Sequence, residues 1–160
     1  MLSHLNKNNQ PQMVDITAKS SSKRTAHAQS VIVLPTKICD LFCDGDLKTA
    51  KGSVTQIAII AGIMATKKTS ELIPLCHPIS LENCDIEIEF IGDKLVVDCY
   101  VATSGKTGVE MEALTGATIA ALTIYDMCKG LSHDIVIQST RLMNKKGGKR
   151  DFKRENNEKH

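Results

Sequence analysis

On both sides of a Gly92-Asp93 turn the chain alternates apolar and polar residues, and that pattern commits it to an antiparallel β-hairpin. Ile86, Ile88 and Phe90 fall on one face and Asp85, Glu87 and Glu89 on the other; on the return, Leu95, Val97, Cys99 and Val101 share a face. A sheet with one apolar face needs a cover, and the rest of the chain supplies helices for it. Val54, Ile57, Ala58, Ala61 and Met64 recur at helical spacing within residues 52–68. A longer helix is predicted over residues 109–128, with Leu114, Ala117, Ala121, Leu122 and Tyr125 among its inward positions. A β-branched run at 31–34, a short helix opened by Pro35 and stopped by Gly45, and a last strand at 135–143 complete the order. Strand, two helices, hairpin, long helix, strand is an α+β, ferredoxin-like sequence of elements, an antiparallel sheet with helices packed on one face.

With 160 residues, this pattern predicts a single domain over 13–152, a flexible polar tail at 1–12 and a flexible basic tail at 153–160. The net charge of +2 is small, but the last 16 residues carry seven Lys or Arg against three acids, so +4 there is set against −2 on the rest. Aromatics are 3%, with no Trp, which leaves few platforms for base stacking and argues against a nucleic-acid partner. No apolar run suits a secretory signal in residues 1–12, and the longest, at 57–65, is about half of the ~20 residues a spanning helix needs. No membrane partner is expected. Six cysteines without C-x2-C pairing or zinc-finger spacing read as reduced thiols of a cytoplasmic protein with no metal site.

Several segments carry candidate chemistry. Thr103-Ser104-Gly105-Lys106-Thr107 stands between a strand and a helix, but the glycine that a nucleotide-binding P-loop needs five residues before Gly105 is Tyr100. The segment is then either a turn and cap or a simpler anion site at a helix N-terminus. Glu110 and Glu112 open the long helix and cannot face the same way. Asp126 and Lys129, three apart near its end, share a face and form either an ion pair or a proton-transfer pair. Glu112 and Asp126 are about 21 Å apart along a continuous helix, so a site using both ends needs a long substrate or, as favoured here, a second subunit. His77 lies between Pro74 and Pro78 with Cys76 beside it, a rigid setting for a proton carrier or for a structural histidine. Lys51 at a helix start calls for an anion nearby, and Lys145-Lys146-Gly147-Gly148-Lys149 is either a phosphate-contacting strip or a solvated tail.

Met13-Val-Asp-Ile-Thr-Ala-Lys19, Lys51-Gly52, Leu72-Ile-Pro-Leu-Cys-His-Pro78, Gly105-Lys-Thr-Gly-Val-Glu-Met-Glu-Ala-Leu-Thr115, Ala121-Leu-Thr-Ile-Tyr-Asp-Met-Cys-Lys129 and Gly147-Gly-Lys149 together resemble the cyclic pyranopterin monophosphate synthase family, of MoaC type. The resemblance covers residues 13–152. It implies a ferredoxin-like subunit, a homohexamer built as a trimer of dimers, active sites at subunit interfaces and no metal or organic cofactor. The reaction it implies belongs to molybdenum cofactor biosynthesis: a GTP-derived 3′,8-cyclised dihydro-GTP is rearranged to the pyranopterin, with a cyclic phosphate formed and pyrophosphate released. Carried over by motif, Asp126, Lys129, Lys51 and His77 are catalytic. Leu75, Cys76, His77, Glu110, Met111, Glu112 and Lys145 contact substrate. The chain departs from the family's usual pattern at His27 and Gln29, at Ser53 and at Ile59. The alternatives are a ferredoxin-like nucleic-acid-binding domain, which lacks the expected RNP-like run and exposed aromatics, and an oligomerisation module, which leaves the acids and lysines at both helix ends without a purpose.

Overall fold

The central strand is one whose full length the hydrophobic pattern conceals. In the computed structural model, which describes residues 6–155, β1 runs over Ser22–Val33, beginning nine residues earlier than the β-branched run suggests. Its inward residues include Ala26, Ala28 and Ile32, and its outward ones His27 and Gln29, so small and polar side chains mask the alternation. Register pairing of β1 with both β5 (Lys94–Gly105) and β6 (Val136–Lys146) is antiparallel. Outside them, β4 (Asn83–Ile91) closes one edge and β7 (Phe152–Lys153) the other, giving the order β4-β5-β1-β6-β7. The four long strands thus take the arrangement of a ferredoxin-like α+β fold. Pairing with β7 carries ordered backbone past residue 152, and Arg154 N–H donates to the Met143 carbonyl at 2.7 Å. Residues 1–5 and 156–160 of the two expected tails lie outside the described residues.

Between β1 and the hairpin come α1 (Thr36–Cys39), the two-residue strands β2 (Lys48–Thr49) and β3 (Gly52–Ser53), α2 (Val54–Thr66) and α3 (Thr69–Leu72). The helix opened by Pro35 is a single turn. Asp44 and Gly45 take positive φ (51° and 78°), and Leu41, expected on its apolar face, is exposed. Ser53 caps α2 by accepting a hydrogen bond from Gln56 N–H at 3.1 Å, so this departure from the family pattern serves the helix start. Gly92, with φ +66°, occupies the first central position of the hairpin turn.

The second crossover helix, α4 (Glu110–Cys128), lies with α2 over one face of the sheet, and the two meet through glycines. A Cβ on Gly116 would sit 2.6 Å from Thr66 Cγ2 and 2.7 Å from Cys99 Sγ; one on Gly62 would collide with Ile86 and the Gly116 carbonyl. Ala113, Ala117, Ala120 and Ala121 on α4 and Ala26 and Ala28 on β1 belong to the same buried core. The uncovered face of the sheet carries Asp85, Glu87, Glu89 and Tyr100. There His27 stacks on Tyr100 and donates from Nε2 to Asp98 at 2.5 Å, and Gln29 donates to the same carboxylate oxygen at 3.0 Å. The departures at 27 and 29 are therefore sheet contacts.

Gly116→Ala is expected to lower the unfolding free energy by about 1–3 kcal/mol through overpacking, read from urea denaturation. Gly130→Ala, where an added Cβ meets nothing within 4 Å, should change it by less than about 0.5 kcal/mol.

Candidate active site

The residues singled out by motif gather in two places, one at each end of α4. At its N-terminus, a cavity of about 1000 Å³ is lined by Leu75, Cys76, His77, Glu110, Met111, Glu112 and Lys145, all seven of the residues expected to contact substrate. The loop carrying Leu75 to His77 is held at both ends. Cys76 N–H donates to the Ile73 carbonyl at 3.0 Å, and Thr103 Oγ1 on β5 donates to the Ser80 carbonyl at 2.6 Å. His77 Nε2 lies 2.8 Å from the Val14 carbonyl.

Glu110 and Glu112 point differently, as their spacing demands. Glu110 Oε1 accepts from Lys145 Nζ at 2.7 Å, both side chains partly buried. A Cβ on Gly108 would occupy the place of that carboxylate, so Gly108 leaves room for it. Lys145 reaches the cavity because β6 is bulged. The register shifts between His27 and Ala28, so that Leu142 pairs with Ala28, Asn144 with His27 and Lys145 with Ala26. Were Met143 paired opposite His27 instead of bulged, Asn144 would fall opposite Ala26 and the alternation would turn Lys145 to the uncovered face. Beyond it, Gly147 (φ +85°) passes so close to the Lys23 carbonyl that a Cβ would overlap it, which brings the basic strip against β1.

Glu112 is only 3% exposed. Burial, with a smaller contribution from the Glu110 charge, pushes its carboxyl up to about 7, the range in which a carboxyl both gives and takes protons at neutral pH. Burial first and the Glu112 charge second also raise the Cys76 thiol. Five further cations line this cavity: Lys19, Arg24, Lys106, Lys146 and Lys149. Carry-over by motif gave none of them a role of its own, although all but Arg24 stand in a segment already singled out. They come from three stretches far apart in sequence, 19–24, 106 and 146–149, and the local signal, a lysine next to glycine, is too common to carry a role. Among the described residues there is no group of three or more His, Cys, Asp or Glu side chains suited to a metal ion, and no helix long and apolar enough to cross a membrane.

At the other end of α4, Asp126 accepts from Lys129 Nζ at 2.6 Å and from Lys51 Nζ at 3.4 Å. Asp126 is the anion that Lys51 required. All three side chains are about half exposed. The Lys129 hydrogen bond and charge, then the Lys51 charge, hold the Asp126 carboxyl below its usual range, and Asp126 in turn raises Lys129. Asp126 and Lys129 thus favour each other's charged form. Fourteen residues of helix, about 21 Å, separate it from Glu112, so one protomer does not bring the two groups to a common substrate atom.

Between the two ends, α4 carries no charged residue, and α2 carries none at all. Met111, Thr115, Thr118, Leu122, Asp126 and Lys129 follow one another at spacings of three and four, a single stripe along α4. Leu122 is 52% exposed, and Ile60 and Met64 on α2 are 58% and 52% exposed.

Residues 13–148 match the MoaC family. The chain is 52% identical to molybdenum cofactor biosynthesis protein 1 of Dictyostelium discoideum, over 92% of this chain and 26% of that protein. It is 47% identical to the cyclic pyranopterin monophosphate synthase of Xanthomonas oryzae pv. oryzae, over 94% of this chain and 92% of that one. It is also 47% identical to a molybdenum cofactor biosynthesis bifunctional protein of Synechocystis, over 94% of this chain and 45% of that one. The chain therefore spans nearly all of one of these relatives and less than half of the other two.

The raised carboxyl of Glu112 has a thermodynamic signature. The native chain holds a proton that the unfolded chain releases near its ordinary value of 4.5, so the Glu112 contribution to stability is greatest below pH 4.5 and is lost as pH rises through about 7. Between pH 4.5 and 8 the wild type should lose on the order of 3 kcal/mol relative to Glu112→Gln, measured as the difference between their urea-unfolding pH profiles.

Proposed function

The chain belongs to the MoaC family, and we propose that it is a lyase of molybdenum cofactor biosynthesis, converting 3′,8-cyclised dihydro-GTP to cyclic pyranopterin monophosphate with release of pyrophosphate. The single observation that carries this reading is the division of the family's motif residues between the two ends of α4, each group chemically complete in itself. One end offers a cationic cavity with a buried carboxyl that titrates near neutrality. The other offers an ionised aspartate flanked by two lysines. The substrate has needs to match: lysines neutralise its triphosphate, while His77, Glu112 and Asp126 hold and move protons as the rings open and close, with Lys129 the conjugate partner of Asp126.

A two-fold axis makes one site from these halves. If two α4 helices pack antiparallel along the Met111 to Lys129 stripe, the axis falls near Thr118 and Ile119, and Met111 of one copy faces Asp126 and Lys129 of the other. The uncharged middle of the stripe and the exposed Leu122, Ile60 and Met64 support such burial. The proposed assembly is a homohexamer, a trimer of such dimers, with each catalytic domain spanning residues 13–152. Six free cysteines fit a reducing compartment, and the cytoplasm is the proposed location.

Supplied with cyclised dihydro-GTP, the wild type should release pyrophosphate, and Asp126→Ala should lower turnover by at least about 100-fold. Asp126→Ala and Lys145→Ala, each inactive alone, should regain activity when co-expressed as mixed oligomers, because one of the sites then receives two intact halves. Undiminished turnover by Asp126→Ala, or no recovery despite proven mixing, defeats the role of that residue or the shared site respectively. Leu122→Glu should yield folded, inactive protomers of lower mass by light scattering.

A further inference from the structure

We propose that Asp15 and Lys106 are positioning residues for His77: together they hold the strap of residues 14–17 so that its Val14 carbonyl fixes the His77 ring in one tautomer and presents Nδ1 as the lone-pair nitrogen. The proposal rests on the reading of His77 as a group of the active site. A backbone carbonyl only accepts hydrogen bonds, so at 2.8 Å from the Val14 oxygen Nε2 carries the proton. In the neutral ring, Nδ1 is then unprotonated, and it has no hydrogen-bond partner among the described residues. His27 makes the contrast, since Asp98 and Asn144 engage both of its nitrogens on the far face of the sheet.

The Pro74–Pro78 loop fixes the backbone of His77 but leaves the ring free to turn about its side-chain bonds, so tautomer and orientation come from the strap. The strap is irregular chain with no strand or helix of its own. Two side chains shape it. Asp15 Oδ1 accepts from Thr17 N–H at 2.8 Å and closes a tight turn, and this bond, then one from the Thr17 side chain, keeps the Asp15 carboxyl below its usual range. Lys106 Nζ, from the segment ahead of α4, donates to the Thr17 carbonyl at 2.9 Å and pins the turn to the body. Among the described residues, the Lys106 and His77 contacts are the two hydrogen bonds joining residues 14–17 to chain beyond Lys19. Losing either shaping residue therefore frees the Val14 carbonyl from the ring. An unanchored imidazole exchanges its proton between both nitrogens, and a general base presented in the wrong tautomer is inactive for that fraction of the time.

Long-range proton–nitrogen correlation spectra of the full-length, ligand-free protein near pH 8 read the tautomer directly. The wild-type His77 ring should show a protonated Nε2 and an unprotonated Nδ1. In Asp15→Ala and in Lys106→Met, both nitrogens should move toward the averaged position of a free imidazole. The kcat for pyrophosphate release should fall on the order of tenfold in Asp15→Ala, with KM changed less than about twofold. Asp15→Asn, which keeps the accepting oxygen, should restore spectrum and kcat. A wild-type His77 protonated at Nδ1, or a ring unchanged in both Asp15→Ala and Lys106→Met, overturns the proposal, and the wild-type spectrum decides even if a variant does not fold. If the wild type shows this tautomer yet does not turn over cyclised dihydro-GTP, the tautomer assignment stands and the functional reading fails.

Discussion

The close approach of α2 and α4 at Gly62 and Gly116 is the constraint from which the rest of the architecture follows. No side chain separates the helices there, and both lie directly on Ile86 and Cys99 of the hairpin. Dispersion grows steeply with proximity, so a contact built from glycine and alanine gains in closeness what it lacks in side-chain area. The core needs few aromatics for the same reason, and the chain has only five. With its middle clamped, α4 has little freedom to tilt. Its first turn is delivered beneath the Leu75 to His77 loop and beside Lys145, and its last turn beside Lys51.

The two ends differ in their electrostatics because they differ in burial. Asp126, half exposed between two lysines, keeps its charge and is screened by water. Glu112, shielded by the fold, is kept close to neutrality even though it stands in the first helical turn, where the dipole favours a carboxylate. Desolvation outweighs the dipole at this position. One helix thus carries an acid that resists ionisation and an acid that resists protonation, and this is the separation of roles that proton-transfer chemistry uses.

Much of this was legible in advance where a residue's neighbours in sequence are also its neighbours in space. The 92–93 hairpin, the two crossover helices, the divergence of Glu110 from Glu112 and the Asp126–Lys129 pair are all local, and periodicity alone reports them. The first half of β1 was not legible, because Ala26 and Ala28 face a core of alanines and leave no large apolar residue to mark the face. The partner of Lys51 was anticipated only as an unnamed anion, since the pairing closes over 75 residues. The strap was visible as a motif but without a role, because its contacts are made by backbone carbonyls, which every residue possesses.

The bulge at Met143 separates two kinds of information in β6. Side-chain identity along that strand is read from the sequence letter by letter, but which face each letter serves is decided by a count. A deletion of Met143 would leave Leu142, Asn144 and Lys145 opposite Ala28, His27 and Ala26 in a regular ladder, whereas the same letters with Met143 paired opposite His27 would exchange the inner and outer side chains of everything that follows. Lys145 would be present and useless. In this strand pairing therefore matters as much as chemistry, because an identical sequence without the unpaired Met143 position in its ladder puts its lysine on the wrong side of the sheet.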